Sequence, residues 1–193
     1  MGSQVHGTQH FDNAKRSELK FSEEAMKTVQ TIISRYPAGK HKSALLPVLH
    51  VAQAEFGGWL SPETMDYVAE VLNIKPIEVF EVASFYTMYN LKPVGKCTLE
   101  VCQTSSCWLN GAEDIVRYIE KKLNIKVGET TKDGMFTLKV AECLGSCGTA
   151  PMLQCGASFH ENLTFEKVDA LIEKYKTEGR LRSYTDLDYQ NTL

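Results

Sequence analysis

All six cysteines of this 193-residue chain fall between Cys97 and Cys155, and none precedes them. Four form two close pairs, Cys102 and Cys107 in "VCQTSSCWLNG" and Cys143 and Cys147 in "AECLGSCGTAP". With no signal-peptide core in the first twenty residues, such crowding favours metal or redox chemistry over a disulfide scaffold. The uneven placement also divides the chain into a cysteine-free first half and a cysteine-bearing second half.

The first half reads as helices. Ser22 is suited to cap a helix, Phe21 and Met26 are spaced as a hydrophobic staple, and Val29, Ile32, Ile33 and Tyr36 continue an apolar stripe. A second helix is expected from about Ser43 to Phe56, with Pro47 tolerable only in its first turn. Ser61 and Pro62 open a third, lined by Met65, Val68, Ala69 and Leu72. Pro76 starts a fourth, carrying Val79, Phe80 and Ala83. The expectation is a helical bundle over residues 21–92, preceded by a polar tail over 1–20.

Past Pro93 and Gly95 the period changes. In "CTLEV", Cys97, Leu99 and Val101 share one face, as strand residues do. Asn110 is placed to cap a helix with Glu113 three residues on, and Ala112, Ile115, Val116, Ile119 and Leu123 form its apolar stripe. Asp133-Gly134 marks a turn before a strand in which Phe136, Leu138 and Val140 face one way. Short strands in "PMLQCG" and "ASFHEN" precede a last helix with Val168, Leu171, Ile172 and Tyr175 on one side. The order β-α-β then β-β-α predicts an α/β domain, a small sheet with helices packed on it, over residues 93–178. Residues 179–193 read as a C-terminal tail.

Each cysteine pair follows a strand, so two loops at one sheet edge can bring four thiolates to one centre. Gly111, Gly145 and Gly148 let the backbone turn and bring N–H groups towards sulfur. A helix starting near Asn110 adds its positive end. Such surroundings suit a [2Fe–2S] cluster, which is anionic when oxidised and more so after gaining one electron. Four-cysteine zinc sites use similar spacings, so iron–sulfur leads, with structural zinc and free or disulfide-bonded thiols behind it. Neither loop holds a histidine, as a Rieske centre needs, nor the C-x-x-C of a thioredoxin dithiol.

The segments "VCQTSSCWLNG", "KVGETTKDGMFTLKVAECLGSCGTAP" and "VASFYTMYNLKPVGK" resemble the thioredoxin-like [2Fe–2S] subunit of NADH:quinone oxidoreductase, the 24-kilodalton family of respiratory complex I. The match runs from about Phe21 to about Tyr175. The resemblance implies a helical N-terminal domain followed by a thioredoxin-like cluster domain. It implies Cys102, Cys107, Cys143 and Cys147 as ligands of one [2Fe–2S] cluster, with no catalytic residue in the chain itself. It implies a flavoprotein partner that holds FMN and the NADH site, and further iron–sulfur subunits in the complex. The location implied is cytoplasmic, peripheral to the inner membrane, or the mitochondrial matrix in a eukaryote. The rivals are the equivalent subunit of an NAD-linked hydrogenase or formate dehydrogenase, and a zinc-stabilised interaction module.

The net charge of −3 and pI near 6.0 argue against a phosphate-tracking surface, and nucleic acid is not an expected partner. No uninterrupted apolar run approaches the roughly 20 residues that span a bilayer. Cys97 and Cys155 are expected as core thiols, His50 as a structural residue and Trp108 as a packing residue. Phe85, Tyr86 and Tyr89 read as core or interface filler. His160 lies too far along the chain from either loop to be taken as a ligand. Pro151 is placed for either a cis or a trans turn.

Overall fold

A computed structural model describes residues 19–178 of the chain. Most of the expected N-terminal tail and all of the C-terminal one lie outside those residues. The chain separates into two compact units between Lys92 and Pro93.

Four helices build the first unit: α1 (Glu23–Ser34), α2 (Leu45–Glu55), α3 (Pro62–Leu72) and α4 (Pro76–Phe85). Ser22 caps α1 by accepting the Ala25 N–H, and Ser61 caps α3 by accepting the Thr64 N–H. A short 3-10 turn, His41–Ala44, leads into α2, which leaves Pro47 in the first turn, where its missing N–H breaks no helical bond. Val29, Leu45, Val48, Leu49, Leu60, Val68, Leu72 and Val79 are all but fully buried in a shared core. Phe21 closes one side of it, its ring centroid 5.3 Å from those of Phe56 and Tyr67. The expected stripe of α4 is corrected in one place: Val79 and Ala83 are buried, but Phe80 faces outward, because only every third or fourth position reaches the core.

The second unit carries a four-stranded sheet ordered β2-β1-β3-β4, with β1 (Cys97–Cys102), β2 (Phe136–Ala141), β3 (Leu153–Cys155) and β4 (Ser158–His160). β1 and β2 are parallel, as a crossover connection requires, and β3 runs antiparallel to both β1 and β4. The crossover holds a short helix, α5 (Ser105–Leu109), and a longer one, α6 (Ala112–Leu123). A last helix, α7, spans Phe165–Glu178. Leu99, Val101, Ile119, Leu138, Met152, Leu153 and Ile172 are fully buried between sheet and helices. Helices with a mixed four-stranded sheet make this an α/β protein.

Two sequence expectations change in this unit. Phe136 and Leu138 are buried as expected, but Val140 is 40% exposed; Thr137, between the two buried residues, is itself 2% exposed. Strand β2 lies at the sheet edge and its burial falls away towards its C-terminal end, where Val140 emerges. Thr137 is buried because its hydroxyl accepts the Gly95 N–H at 2.6 Å and pairs with Thr130 at 2.7 Å. Gly95 is required at this approach, since a Cβ there would sit 2.9 Å from the Met135 backbone.

The second change concerns the helix start. Asn110 does not open α6; it ends α5, donating its side-chain amide to the Ser106 carbonyl at 2.7 Å. The residue before α6 is Gly111, in the left-handed region at φ +87°. The spacing of Asn110 and Glu113 imitates a capping pattern, but Asn110 is taken up as the C-cap of α5 and Gly111 holds the N-cap position.

Candidate metal centre

Strand pairing brings the two cysteine loops together. Cys102, the last residue of β1, stands opposite Ala141, the last residue of β2, so both loops leave the same end of the sheet. The Gln103 N–H donates to the Ala141 carbonyl at 3.0 Å, extending the pairing past the strands. Helix α5 then carries Cys107 back into the core. In the other loop, Gly145 turns the chain at φ +87° between Cys143 and Cys147. The Ser106 hydroxyl donates to the Cys147 carbonyl at 2.9 Å, which ties one loop to the other.

The sulfurs sit as two pairs. Cys143 Sγ and Cys147 Sγ are 3.8 Å apart, and both residues are exposed. That separation fits two thiolates on one tetrahedral metal with metal–sulfur bonds of about 2.3 Å. Cys102 and Cys107 are buried, their thiols within hydrogen-bonding reach of one another. Cys147 is near enough to both of them for charge to act between the pairs. Among the described residues, no three histidine, cysteine or carboxylate side chains gather about a single point suited to one metal ion. A two-iron centre takes two thiolates on each iron, and the loops supply cysteines in two pairs.

Electrostatics describe an anion site. Burial acts to raise the Cys102 thiol, yet N–H groups of Thr104 and Leu144 and the Cys107 thiol hold it below the ordinary thiol value. The Leu144 N–H belongs to the second loop, so that loop reaches the first pair's sulfur. Burial, with the Cys102 thiol beside it, pushes Cys107 up to about 11, against the Met152 N–H that favours its thiolate. The adjacent Cys143 thiol raises Cys147 in the same way. Four thiolates this close repel one another, so a bound cation is what lets them ionise together. The donor set therefore fits an iron–sulfur cluster: four thiols in two pairs, with backbone N–H groups aimed at the buried sulfurs.

The remaining cysteines lie apart from this arrangement. Cys97 and Cys155 are fully buried, sharing the core face of the sheet within hydrogen-bonding reach of one another. His160 bonds Tyr175 through Nε2 at 2.9 Å, and the His50 ring lies tilted at 47° to that of Tyr89, centroids 5.1 Å apart. Tyr89 is buried, donating to the Leu46 carbonyl, while Phe85 and Tyr86 are exposed. Trp108 is corrected from packing residue to surface residue, because α5 turns Cys107 inward and leaves the next side chain outside, 57% exposed. The Ala150–Pro151 peptide is cis. Sequence reading missed α5, the Ser106 tie and the N–H donors of Leu144 and Met152. Only the serine had any visible signal, as a polar neighbour of Cys107.

A thioredoxin-like sheet with four cysteines on two loops at one end is the frame of an electron-carrying ferredoxin. The chain belongs to the thioredoxin-like [2Fe–2S] ferredoxin family, whose model matches residues 29–176. It is 44% identical over 162 residues to an NADH-quinone oxidoreductase subunit of Rickettsia felis, covering 84% of this chain and 97% of that one. It is also 41% identical over 165 residues to the mitochondrial NADH dehydrogenase [ubiquinone] flavoprotein 2 of Dictyostelium discoideum, covering 86% of this chain and 67% of that one. Among solved structures, an NAD+-reducing [NiFe]-hydrogenase matches at TM-score 0.61 and 22% identity. That match covers 69% of this chain and 22% of the hydrogenase chain, a likeness of fold alone. No helix among the described residues is long and apolar enough to cross a membrane.

Proposed function

We propose that this chain is an electron-transfer subunit of an NADH-oxidising quinone reductase, respiratory complex I. In this reading Cys102, Cys107, Cys143 and Cys147 hold one [2Fe–2S] cluster, and electrons pass to and from FMN in a partner flavoprotein. The chain acts within an oxidoreductase of several subunits, including further iron–sulfur subunits, and is peripheral to the inner membrane. Residues 21–92 serve as a helical bundle domain and residues 93–178 as the cluster domain. The observation that carries the reading is the register of β1 with β2, which sends both cysteine pairs to one end of the sheet.

When bound, the cluster supplies one-electron storage in a small, slowly reorganising centre. The chain's own residues prepare its surroundings. The N–H groups of Leu144, Thr104 and Met152 face the buried sulfurs, so negative charge there is met by fixed dipoles. Buried Cys102 and Cys107 anchor one side in the core and exclude water from it. Exposed Cys143 and Cys147 form the side through which a partner's redox group can approach. In this reading hydride chemistry belongs to the flavoprotein partner.

The test uses the isolated chain and the FMN-bearing partner. Dithionite-reduced chain should give an EPR signal, and NAD+ should reoxidise it only when the flavoprotein is added. Rapid NADH oxidation by this chain alone would contradict the division of labour.

A further inference from the structure

Glu161 lies outside both cysteine loops in sequence, yet its carboxylate is built into the second. Its Oε1 accepts hydrogen bonds from the Ser146 hydroxyl and, at 2.7 Å, from the Thr149 hydroxyl. Ser146 immediately precedes Cys147 and Thr149 follows it by two, so the carboxylate brackets that cysteine from both sides. The two hydroxyls are 2.7 Å from one another. Backbone bonds keep the segments in register: the Asn162 N–H donates to the Thr149 carbonyl at 2.7 Å, and the Leu163 N–H to the Pro151 carbonyl at 2.9 Å. The Lys167 ammonium holds the Asn162 carbonyl at 2.9 Å, fixing the far side of the same turn.

Two consequences follow from elementary electrostatics. A hydroxyl that donates to sulfur favours the more negative, reduced state of a cluster, and each hydroxyl has a single proton to give. Protons committed to Glu161 are withheld from the cysteine sulfurs. The carboxylate also places a fixed negative charge within a Debye length of the Cys147 backbone, about 8–10 Å, where salt does not erase it. Both effects oppose the addition of an electron.

We propose that Glu161 is a positioning residue that holds down the reduction potential of the centre, by taking the hydroxyl protons of Ser146 and Thr149 and by its own charge. The proposal rests on the reading that the four cysteines hold a [2Fe–2S] cluster. It assigns Glu161 no contact with the cluster and no proton to transfer.

The experiment is a potentiometric titration followed by EPR on the full chain, with iron and sulfide assayed first. Glu161→Gln keeps an acceptor oxygen for both hydroxyls and removes the charge. It should shift the reduced-to-oxidised ratio at fixed potential threefold to tenfold towards reduced, the upper figure being about 59 mV for one electron. Glu161→Asp retains the charge and should stay near the parent midpoint. Glu173→Gln, an exposed carboxylate two turns along α7, should shift nothing. An unchanged or lowered midpoint in Glu161→Gln, or an equal rise in Glu173→Gln, overturns the proposal.

Ser146→Ala and Thr149→Val test the other half with the Glu161 charge still in place, each removing one hydrogen bond to its carboxylate. Since neither hydroxyl serves sulfur, each variant should keep the parent midpoint; a fall in either shows donation to sulfur and overturns the proposal. A fall in either variant overturns the proposal even if Glu161→Gln does not retain a cluster. Parent protein that takes up no iron and sulfide would instead refute the four-cysteine reading.

Discussion

The Ser106 hydroxyl donates to the Cys147 carbonyl oxygen at 2.9 Å, joining the helix that carries Cys107 to the loop that carries Cys147. A neutral bond of this kind contributes about 0.5–1.5 kcal/mol net. Ser106→Ala should therefore lower the stability of the metal-free chain by about 1 kcal/mol in urea. It should also speed bleaching of the loaded chain by an iron chelator. Unchanged bleaching would show that the tie does not help to hold the two loops together.

Ligation separates the six cysteines into two groups. Replacing Cys102, Cys107, Cys143 or Cys147 by serine should abolish or strongly perturb the visible absorption of the loaded chain. Replacing Cys97 or Cys155, which lie together in the core away from the loops, should leave the spectrum largely intact. The absorption spectra of six single variants check this directly.

The start of α6 distinguishes Gly111 from Asn110. Gly111→Ala puts a side chain at φ +87°, which costs about 1–2 kcal/mol, although its Cβ would meet nothing nearer than Asp114 Oδ2 at 3.9 Å. Asn110→Ala removes one exposed hydrogen bond to the Ser106 carbonyl and should cost less. Thermal melts of the two variants should rank glycine as the more damaging loss. The reverse ranking would restore Asn110 as the residue on which the helix start depends.

Core packing sets a larger scale. Leu99 is fully buried at the centre of the sheet, on β1 between β2 and β3. Leu99→Ala should destabilise the second unit by about 2–5 kcal/mol, measured by denaturant unfolding. A loss below about 1 kcal/mol would mean that this face is not the packed core.

Acid should weaken the fold through two histidines. Burial holds His160 and His50 below the ordinary imidazole value, so the unfolded chain binds protons more readily than the folded one. Stability is then full above the unfolded pKa of about 6.5 and falls as pH drops through that value towards the folded one. Urea melts of the metal-free chain at pH 7.5 and about 5.5 should show the loss, and His160→Gln should reduce it. A pH response unaltered by His160→Gln would remove that residue from the account.

Much of the fold was legible because periodicity and punctuation agreed. Ser22, Ser61, Pro62 and Pro76 mark helix starts through local chemistry, and each marks one in the structure. Strand β1 showed itself through alternation, since Cys97, Leu99 and Val101 are buried while Thr98 and Glu100 between them are only partly so. Helix α5 did not, because five residues make little more than one turn and carry no period. Val140 was misread for a related reason: alternation reports faces, not which residues on a face stay covered.

The candidate site was legible as spacing and as family resemblance, while its supports were not. Cys102, Cys107, Cys143 and Cys147 announce themselves by type and position. Ser106 and Glu161 act through tertiary contacts, Glu161 from 12 residues beyond Thr149 in sequence, which no local pattern records. Backbone donors such as the Leu144 N–H carry no sequence signature at all, because every non-proline residue has one.

The most direct test is elemental analysis of chain purified without oxygen, read together with its colour. A cluster held by the four loop cysteines predicts about two iron and two acid-labile sulfide per chain, negligible zinc and a red-brown absorption. A colourless protein with about one zinc and no sulfide would contradict that account.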